Sequence, residues 1–582
     1  MKTRRFYFLI SLITLLGMGQ GHLKASNNEE TITLKFVETS DVHGCYFPYD
    51  FIQNKQMRGS LARVSSYVKE ERELYGDNLI LMDNGDILQG QPVAYYYNYM
   101  DTTSVHVCAA MLNYMRYDVG NMGNHDVETG HAVYDRWVGQ CDFPILGANI
   151  VDVKTGKPYL KPYEVLERNG VKVVVLGMIT PAVPSWLPEQ LWAGLRFEDM
   201  EACAAKWVKE IREKEQPDIL IGLFHSGLDG KKLDNVVENG SKGVAANVPG
   251  FDVMGHDHTR WNERVTNASG DSVLVIDPAN TAKVVSEVTV TVKKQDGKIV
   301  SKQVDGKLVD MGDYAVDKDF MHTFQKQYEA TQAFVSQKIG RMEHTISSKD
   351  AFFGPSAFID LIHQLQLDIT GADISFCAPL SAYAEIKEED IRMSDMFNLY
   401  KFENMLYTMM LTGKEVKDFL EMSYDLWVNQ MTSPDDHLLL LNEKDSGFGR
   451  FRNPSFNFDS AAGIIYTVDV TKPHGKRITI ERMADGKPFE MDKQYQVAVN
   501  SYRGNGGGDL LTKGAGIPKA ELAKRIVFST DKDLRYYLMK RIEEVKVLNP
   551  APLNQWKFIP EEWTVPAAKR DYELLFGNKD NE

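Results

Sequence analysis

Cysteine is sparse in this chain and never paired in sequence. Five cysteines (Cys45, Cys108, Cys141, Cys203, Cys377) are scattered over 582 residues with no Cys-x-x-Cys spacing. A disulfide-dense scaffold is excluded, which leaves room for one or two bridges in an oxidising compartment. Cationic charge is also short, since 66 Lys and Arg face 81 Asp and Glu, a formal charge of -15. A broad basic face for a nucleic-acid polymer is therefore not expected, and an anionic ligand would have to be small and locally captured. Long apolar runs are missing too. Beyond the first 25 residues no stretch is long enough to span a bilayer, so no transmembrane anchor is expected after that segment.

That N-terminal segment is itself distinctive. Lys2, Arg4 and Arg5 precede an apolar run from Phe6 to Leu16, followed by small and polar residues, the layout of a secretory signal peptide. No cysteine follows the run closely, so a lipid anchor is not indicated. Removing residues 1–25 takes away Lys2, Arg4, Arg5 and Lys24 and no acid, which moves the formal charge from -15 to about -19. The protein is read as exported, periplasmic or at the cell surface.

The chain then alternates strand and helix. Thr31 to Glu38 reads as a strand running into Asp41-Val-His43, and Asn78 to Met82 as one ending in Asp83-Asn84-Gly85-Asp86. Helices are expected over Leu61–Leu74 and about Thr103–Tyr114, before Asn-Met-Gly-Asn124-His125-Asp126-Val-Glu128. Alone, such a string is most often a polar turn. Val171–Met178, Asp218–Phe224 and Phe251–Met254 are further apolar strands, the last two leading into His225 and Gly-His256-Asp-His258. In an α/β layout, sites gather at the carboxyl ends of the strands.

Of thirteen histidines, five (His43, His125, His225, His256, His258) fall at these strand ends, with Asp41, Asp86 and Asn124. His106, His322, His344, His363, His437 and His474 read as ordinary core or surface residues. Imidazole and carboxylate suit borderline divalent metals. So many donors exceed what one tetrahedral ion can use, and two ions sharing a carboxylate fit the inventory.

In this order, Asp-x-His, Gly-Asp, Gly-Asn-His-Asp, His225 and Gly-His-x-His resemble the calcineurin-like metallophosphoesterases. Gly177-Met-Ile-Thr-Pro-Ala-Val-Pro-Ser-Trp186 narrows the likeness to the 5'-nucleotidase branch. The resemblance implies an α/β protein: a four-layer α/β/β/α metallophosphoesterase domain, then a separate α/β 5'-nucleotidase-type C-terminal domain. It implies two divalent metal ions (Zn, Mn, Co or Mg), one on Asp41, His43, Asp86 and His258 and the other on Asp86, Asn124, His225 and His256. Two cations roughly 3.5–4 Å apart polarise a phosphoryl group and lower the pKa of a water, so hydroxide can attack phosphorus in line. His125 would stabilise charge on the transferring group or assist the leaving oxygen. Glu128 stands where relatives often carry a shorter partner for this histidine, so its reach is an open point, and Asp126 is expected to be a framework acid.

The catalytic domain is read as 31–300 and a linker as 301–340, with one long helix from Phe320 to Val335. The substrate domain is read as 341–548 and an extended Pro- and Trp-containing tail as 549–582. In the substrate domain the loops Arg452–Asp459 and Asn500–Asp509 concentrate aromatics and glycine. Phe456 and Tyr502 could sandwich a nucleobase, and Gly506–Gly508 could let the backbone approach a ligand. Asn457, Arg503 and Asp509 complete the expected substrate contacts. Ser375-Phe-Cys-Ala-Pro-Leu-Ser381 replaces the Asn-x-Gly-Gly-[Ile/Val]-Arg motif usual in relatives that cleave 5'-nucleotides. It resembles instead the 2',3'-cyclic-nucleotide 2'-phosphodiesterase/3'-nucleotidase branch. The expected function is a dinuclear phosphohydrolase of small nucleotides, serving nucleotide catabolism. The alternatives are a 5'-nucleotidase/UDP-sugar hydrolase, a non-catalytic nucleotide-binding surface protein, and a structural or adhesive surface protein.

Overall fold

A computed structural model describes residues 29–230, 232–233, 236–238, 240–255, 260–444 and 450–577. The expected signal segment, His256 and His258 lie outside the described residues.

The apolar periodicity of the N-terminal half folds into two facing sheets. Their strands are β1 (Glu29–Thr39), β2 (Leu79–Asp83), β3 (Val119–Asn121), β4 (Ile145–Leu146), β5 (Tyr163–Arg168) and β6 (Val171–Ile179). They continue as β7 (Ile219–His225), β8 (Val253–Gly255), β9 (Arg260–Thr266), β10 (Ser272–Pro278), β11 (Val284–Gln295) and β12 (Lys298–Asp310). One six-stranded sheet has the order β12-β11-β1-β2-β3-β4 and the other β9-β10-β8-β7-β6-β5.

β6 shows why the layers form. Val171, Val173 and Val175 point into the seam between the sheets, whereas Val174, Leu176 and Met178 point to the outer helices. A strand buried on both faces needs an apolar residue at every position, and each contributes about 1.5–3 kcal/mol. Helices α1 (Leu61–Tyr75) and α2 (Val107–Met115) cover the outer face of the first sheet, and α3 (Asn124–Glu128) follows β3. α4 (Met200–Lys214) and α5 (Ser241–Asn247) cover the second sheet. This is the expected α/β/β/α arrangement. β1 to β4 run parallel to one another, as do β6, β7, β8 and β10, so their carboxyl ends fall on common edges.

Three expectations are corrected. Residues 301–310 are not linker, because β12 pairs with β11 up to Asp310. Val304 and Leu308 pack on the seam, while Lys298, Lys302 and Lys307 charge an edge that could otherwise recruit another strand. The connecting helix is two helices, α6 (Lys318–Thr323) and α7 (Gln325–Val335), broken at Phe324 (φ -104°, ψ 18°). Phe320 and Phe324 stay on the Tyr114 ring of the first domain, and the bend carries Phe334 to Tyr95 and Tyr96.

The second domain begins with α8 (Ala357–Thr370). Its five-stranded sheet has the order β15-β13-β17-β14-β18, from β13 (Ile374–Cys377), β14 (Met405–Thr412), β15 (Ser460–Ala462), β17 (Gln494–Asn500) and β18 (Ile526–Asp533). β16 (Ile464–Asp469), α9 (Gly413–Trp427) and α10 (Leu534–Val545) complete the frame. The third correction concerns the tail, which is extended only in part: β19 (Trp556–Ile559) pairs parallel with β16, and α11 (Glu561–Phe576) follows. Pro560 precedes the first turn, where Glu561 and Glu562 complement the helix dipole. Trp556, Phe558 and Ala567 are buried in the second-domain core, an apolar signal masked in the sequence by the surrounding prolines. All five cysteines are free thiols.

Leu223 is fully buried in the seam two residues before His225. Leu223→Ala is expected to lower the stability of the first domain by about 2–5 kcal/mol, read as a shift in its urea unfolding midpoint.

Candidate metal centre

The loops after β1 and β2 are bonded to each other residue by residue. Asn84 N donates to Thr39 O (2.8 Å), Asp41 N to Gly85 O (3.0 Å) and His43 N to Asp86 O (2.9 Å). Asp41, His43 and Asp86 all take left-handed backbone, with φ of 49°, 49° and 55°. Each such residue costs on the order of 1–3 kcal/mol, strain that persists only where surrounding bonds enforce it.

Asp126 supplies much of that enforcement. Its buried carboxylate accepts the N–H groups of Gly123 (2.8 Å), Asp86 (2.9 Å), Ile87 (2.9 Å) and Leu88 (2.9 Å), tying the start of α3 to the β2 loop. His125 N in turn donates to Asp86 Oδ1 at 2.7 Å. The approach is so close that a Cβ on Gly123 would lie 2.2 Å from both Asp86 N and Asp86 Oδ1.

Asp86 Oδ2 is buried and makes no hydrogen bond. It lies 3.2 Å from His225 Nε2 and 4.0 Å from His43 Nε2, which is itself 3.7 Å from Asp41 Oδ1. Donor atoms of Asp41, Asp86 and His225 all fall within 4.8 Å of one another. The imidazoles are oriented from behind, with His225 Nδ1 2.8 Å from Asn84 O and His43 Nδ1 3.2 Å from Gln89 O. A carbonyl can only accept, so both rings carry their proton at Nδ1 and, when neutral, turn the Nε2 lone pair inward. His225 Nε2 then faces two oxygens, Asn124 Oδ1 (3.1 Å) and Asp86 Oδ2 (3.2 Å). Lone pairs and carboxylate oxygens converging on one point are reconciled by a cation, and the donor set fits a divalent metal. Burial pushes the Asp86 carboxyl up, but the imidazoles of His225, His125 and His43 outweigh it and hold Asp86 well below the usual carboxylate range.

His125 flanks this cluster, its ring edge-to-face with His43 at 5.4 Å between centroids. Its Nδ1 is 2.5 Å from Glu128 Oε2, so the longer side chain does reach the histidine. Of the expected ligands, Asp41, His43, Asp86, Asn124 and His225 are thus brought together, and β8 ends beside β7 where the masked histidines follow.

The second-domain residues behave differently from expectation. Phe456 and Tyr502 are half-buried neighbours, but their rings stand at 86° and 6.1 Å, the edge-to-face geometry that aromatic quadrupoles favour, and not as a parallel sandwich. Arg503 is buried and committed internally. It bonds Asp459 Oδ2 (2.6 Å), Phe456 O (2.9 Å), Asn457 Oδ1 (3.2 Å) and Gly507 O (2.5 Å), so it clasps the two loops and is not free for a substrate. Gly508, at φ 71°, leaves the space that Asn457 and Arg503 occupy, so the glycines here admit the chain's own side chains. Asp509 pairs with Lys513 (2.7 Å).

Residues not singled out in the sequence link these loops to the metal edge. Thr180, just after β6, donates its N–H to His225 O (2.8 Å) and its hydroxyl to Glu238 O (2.6 Å). Burial raises the Tyr502 hydroxyl pKa, and the charge of Glu238 adds to it. Lys519 of the second domain reaches Ser185 Oγ (2.5 Å) in the first. Thr180 was detectable as another strand-end residue, whereas Glu238 and Lys519 carried no signal.

Residues 34–260 match the family model of the calcineurin-like phosphoesterases, and residues 338–513 match that of the 5'-nucleotidase C-terminal domain. The chain is 27% identical over 588 residues to the trifunctional nucleotide phosphoesterase protein YfkN of Bacillus subtilis, covering 91% of this chain and 39% of that protein. It is 26% identical over 602 residues to the 2',3'-cyclic-nucleotide 2'-phosphodiesterase/3'-nucleotidase of Salmonella typhimurium, covering 92% of this chain and 90% of that protein. The solved 5'-nucleotidase precursor of Thermus thermophilus has the same fold, with TM-score 0.61, 20% identity, and coverage of 91% of this chain and 100% of that one.

Asp126→Ala strands four buried N–H donors and is expected to lower stability by about 2–5 kcal/mol. Asp126→Asn, which keeps one acceptor oxygen, should lose less, with both read by thermal unfolding and by calorimetric titration with Mn.

Proposed function

We propose that this chain, a calcineurin-like phosphoesterase joined to a 5'-nucleotidase C-terminal domain, is an exported two-metal nucleotide phosphohydrolase acting on 2',3'-cyclic nucleotides and 3'-nucleotides. The observation that carries the reading is Asp86 Oδ2, buried without a hydrogen bond among inward-turned imidazoles.

When bound, paired divalent cations polarise the phosphoryl oxygens and lower the pKa of the attacking water. Asp41, His43, Asp86 and His258 would hold one, and Asp86, Asn124, His225 and His256 the other, with Asp86 shared. Ser40 Oγ donates to Asp41 Oδ2 (2.6 Å), fixing that carboxylate as the Asn84 and Gln89 carbonyls fix the rings. Glu128 favours the imidazolium form of His125, whose Nε2–H is then available to the transferring phosphoryl or the leaving ribose oxygen. Phe456 and Tyr502 offer the base an aromatic corner, with Asn457 and Asp509 beside it and Arg503 as the clasp behind.

The named activity of the Salmonella relative, matched along nearly its whole length, supports the substrate choice. So does the stretch after β13. Ser375 Oγ is bonded to buried His363 (2.9 Å) and Cys377 is buried, so this segment offers core packing where an arginine is usual in 5'-specific relatives. Export rests on the basic-then-apolar N-terminus. No helix among the described residues is long and apolar enough to cross a membrane.

Phosphate release from 2',3'-cyclic AMP, 3'-AMP, 5'-AMP and a UDP-sugar should be compared on one metal-reconstituted preparation. The first two are expected to be hydrolysed fastest, with chelator abolishing all turnover and Mn, Zn or Co restoring it. Faster release from 5'-AMP would overturn the substrate assignment, and AMP binding without turnover would overturn catalysis. His125→Gln is expected to lower kcat by about 10²–10⁴-fold with metal content unchanged.

A further inference from the structure

Between the two domains lies a buried group of acids with a single guanidinium. Glu403, just before β14, is 6% exposed. Its Oε2 accepts the hydroxyl of Tyr99 from the first domain at 3.0 Å, and its Oε1 lies 3.5 Å from Arg535 Nη1. Arg535 is fully buried, donating to the carbonyls of Tyr400 (3.1 Å) and Lys401 (2.8 Å), with its guanidinium over the rings of Phe397 (4.2 Å) and Tyr95 (5.1 Å). Asp533 ends β18 and caps α10 by accepting Tyr536 N (2.7 Å). From the first domain, the charge of Glu128 acts on Tyr99, Glu403 and Asp533 alike. Glu403 is thus faced by Tyr99, Glu128, Asp533 and Arg535, with Lys532 acting on the group through Asp533.

We propose that Glu403 is a positioning residue carried by the second domain, which acts on His125 of the first through its neighbour Glu128. The inference rests on the reading of His125 as the group at the transferring phosphoryl. Three carboxylates sharing one buried cation cannot all be ionised without repulsion. Glu128 must stay ionised to hold His125, so the proton falls to Glu403. Burial first, then Asp533 and Glu128 against Arg535, pushes Glu403 up to about 7. A carboxyl with a raised folded pKa binds its proton more tightly in the folded state. The domain contact is therefore firm at low pH and weakens as pH rises from the ordinary carboxylate range through about 7. Ionised Glu403 repels Glu128, and the hold on His125 changes with it.

The test compares kcat and KM across the neutral pH range for the metal-loaded full chain and its Glu403→Gln, Tyr99→Phe, Glu128→Gln and Glu403→Gln/Glu128→Gln variants. Glu403→Gln should remove one ionisation near neutrality from the kcat profile. It should change kcat on the alkaline side by about three- to tenfold, with KM moving less. Tyr99→Phe should shift that ionisation upward, because the hydroxyl bond favours the carboxylate. In the Glu128→Gln background, Glu403→Gln should add nothing. An unchanged pH profile, or effects that add in full, would overturn the proposal while leaving the His125 reading intact. A Glu128→Gln enzyme with unaltered kcat would instead sink the reading of the His125–Glu128 pair, and the proposal with it. If Glu403→Gln fails to fold, Tyr99→Phe decides alone: no upward shift means that Glu403 is structural only.

Discussion

The metal edge depends on one carboxylate that need not touch a metal. Asp126 gathers four backbone N–H groups from two loops, and those bonds keep Asp86 in a left-handed conformation that its side chain disfavours. The strain is not incidental. It turns Asp86 so that one oxygen takes His125 N and the other is left bare toward His225 and His43. A phosphoester hydrolase of this kind needs its donors placed before any cation arrives, and here the backbone does the placing.

Much of this was legible from residue types at strand ends. The parallel strands β1, β2, β3 and β7 could be read because each is buried on two faces and ends in polar donors. Five of the expected ligands meet because strand ends in such sheets must share an edge. What the sequence hid has physical reasons as well. β12 looked like a linker because an edge strand is written in lysine and glutamine. The C-terminal helix was masked by Pro560 and Pro566, although one stands before the first turn and the other is accommodated within it. Arg503 looked like a substrate contact because an exposed arginine and a buried, fully bonded one have the same letter.

The two domains meet through polar as well as apolar groups. Tyr95, Phe334 and Phe397 form an aromatic seam, and the Tyr99–Glu403 bond and the Lys519–Ser185 bond cross the junction on either side of it. Polar bonds of this sort are direction-sensitive, so small rotations at the junction change them more than they change the apolar contact. The relation between the substrate loops and the metal edge is therefore set by a few identifiable side chains.

The parallel pairing of β19 with β16 joins Trp556–Ile559 to residues about ninety positions earlier, and α11 closes over the same core. During synthesis the second domain therefore lacks a sheet strand and its buried Trp556 and Phe558 until nearly the last residues leave the ribosome. The first domain, complete once β12 has emerged, can form while its companion is still an open chain. The order of assembly is thus written into the topology, with the catalytic half first and the substrate-facing half finished only when translation ends.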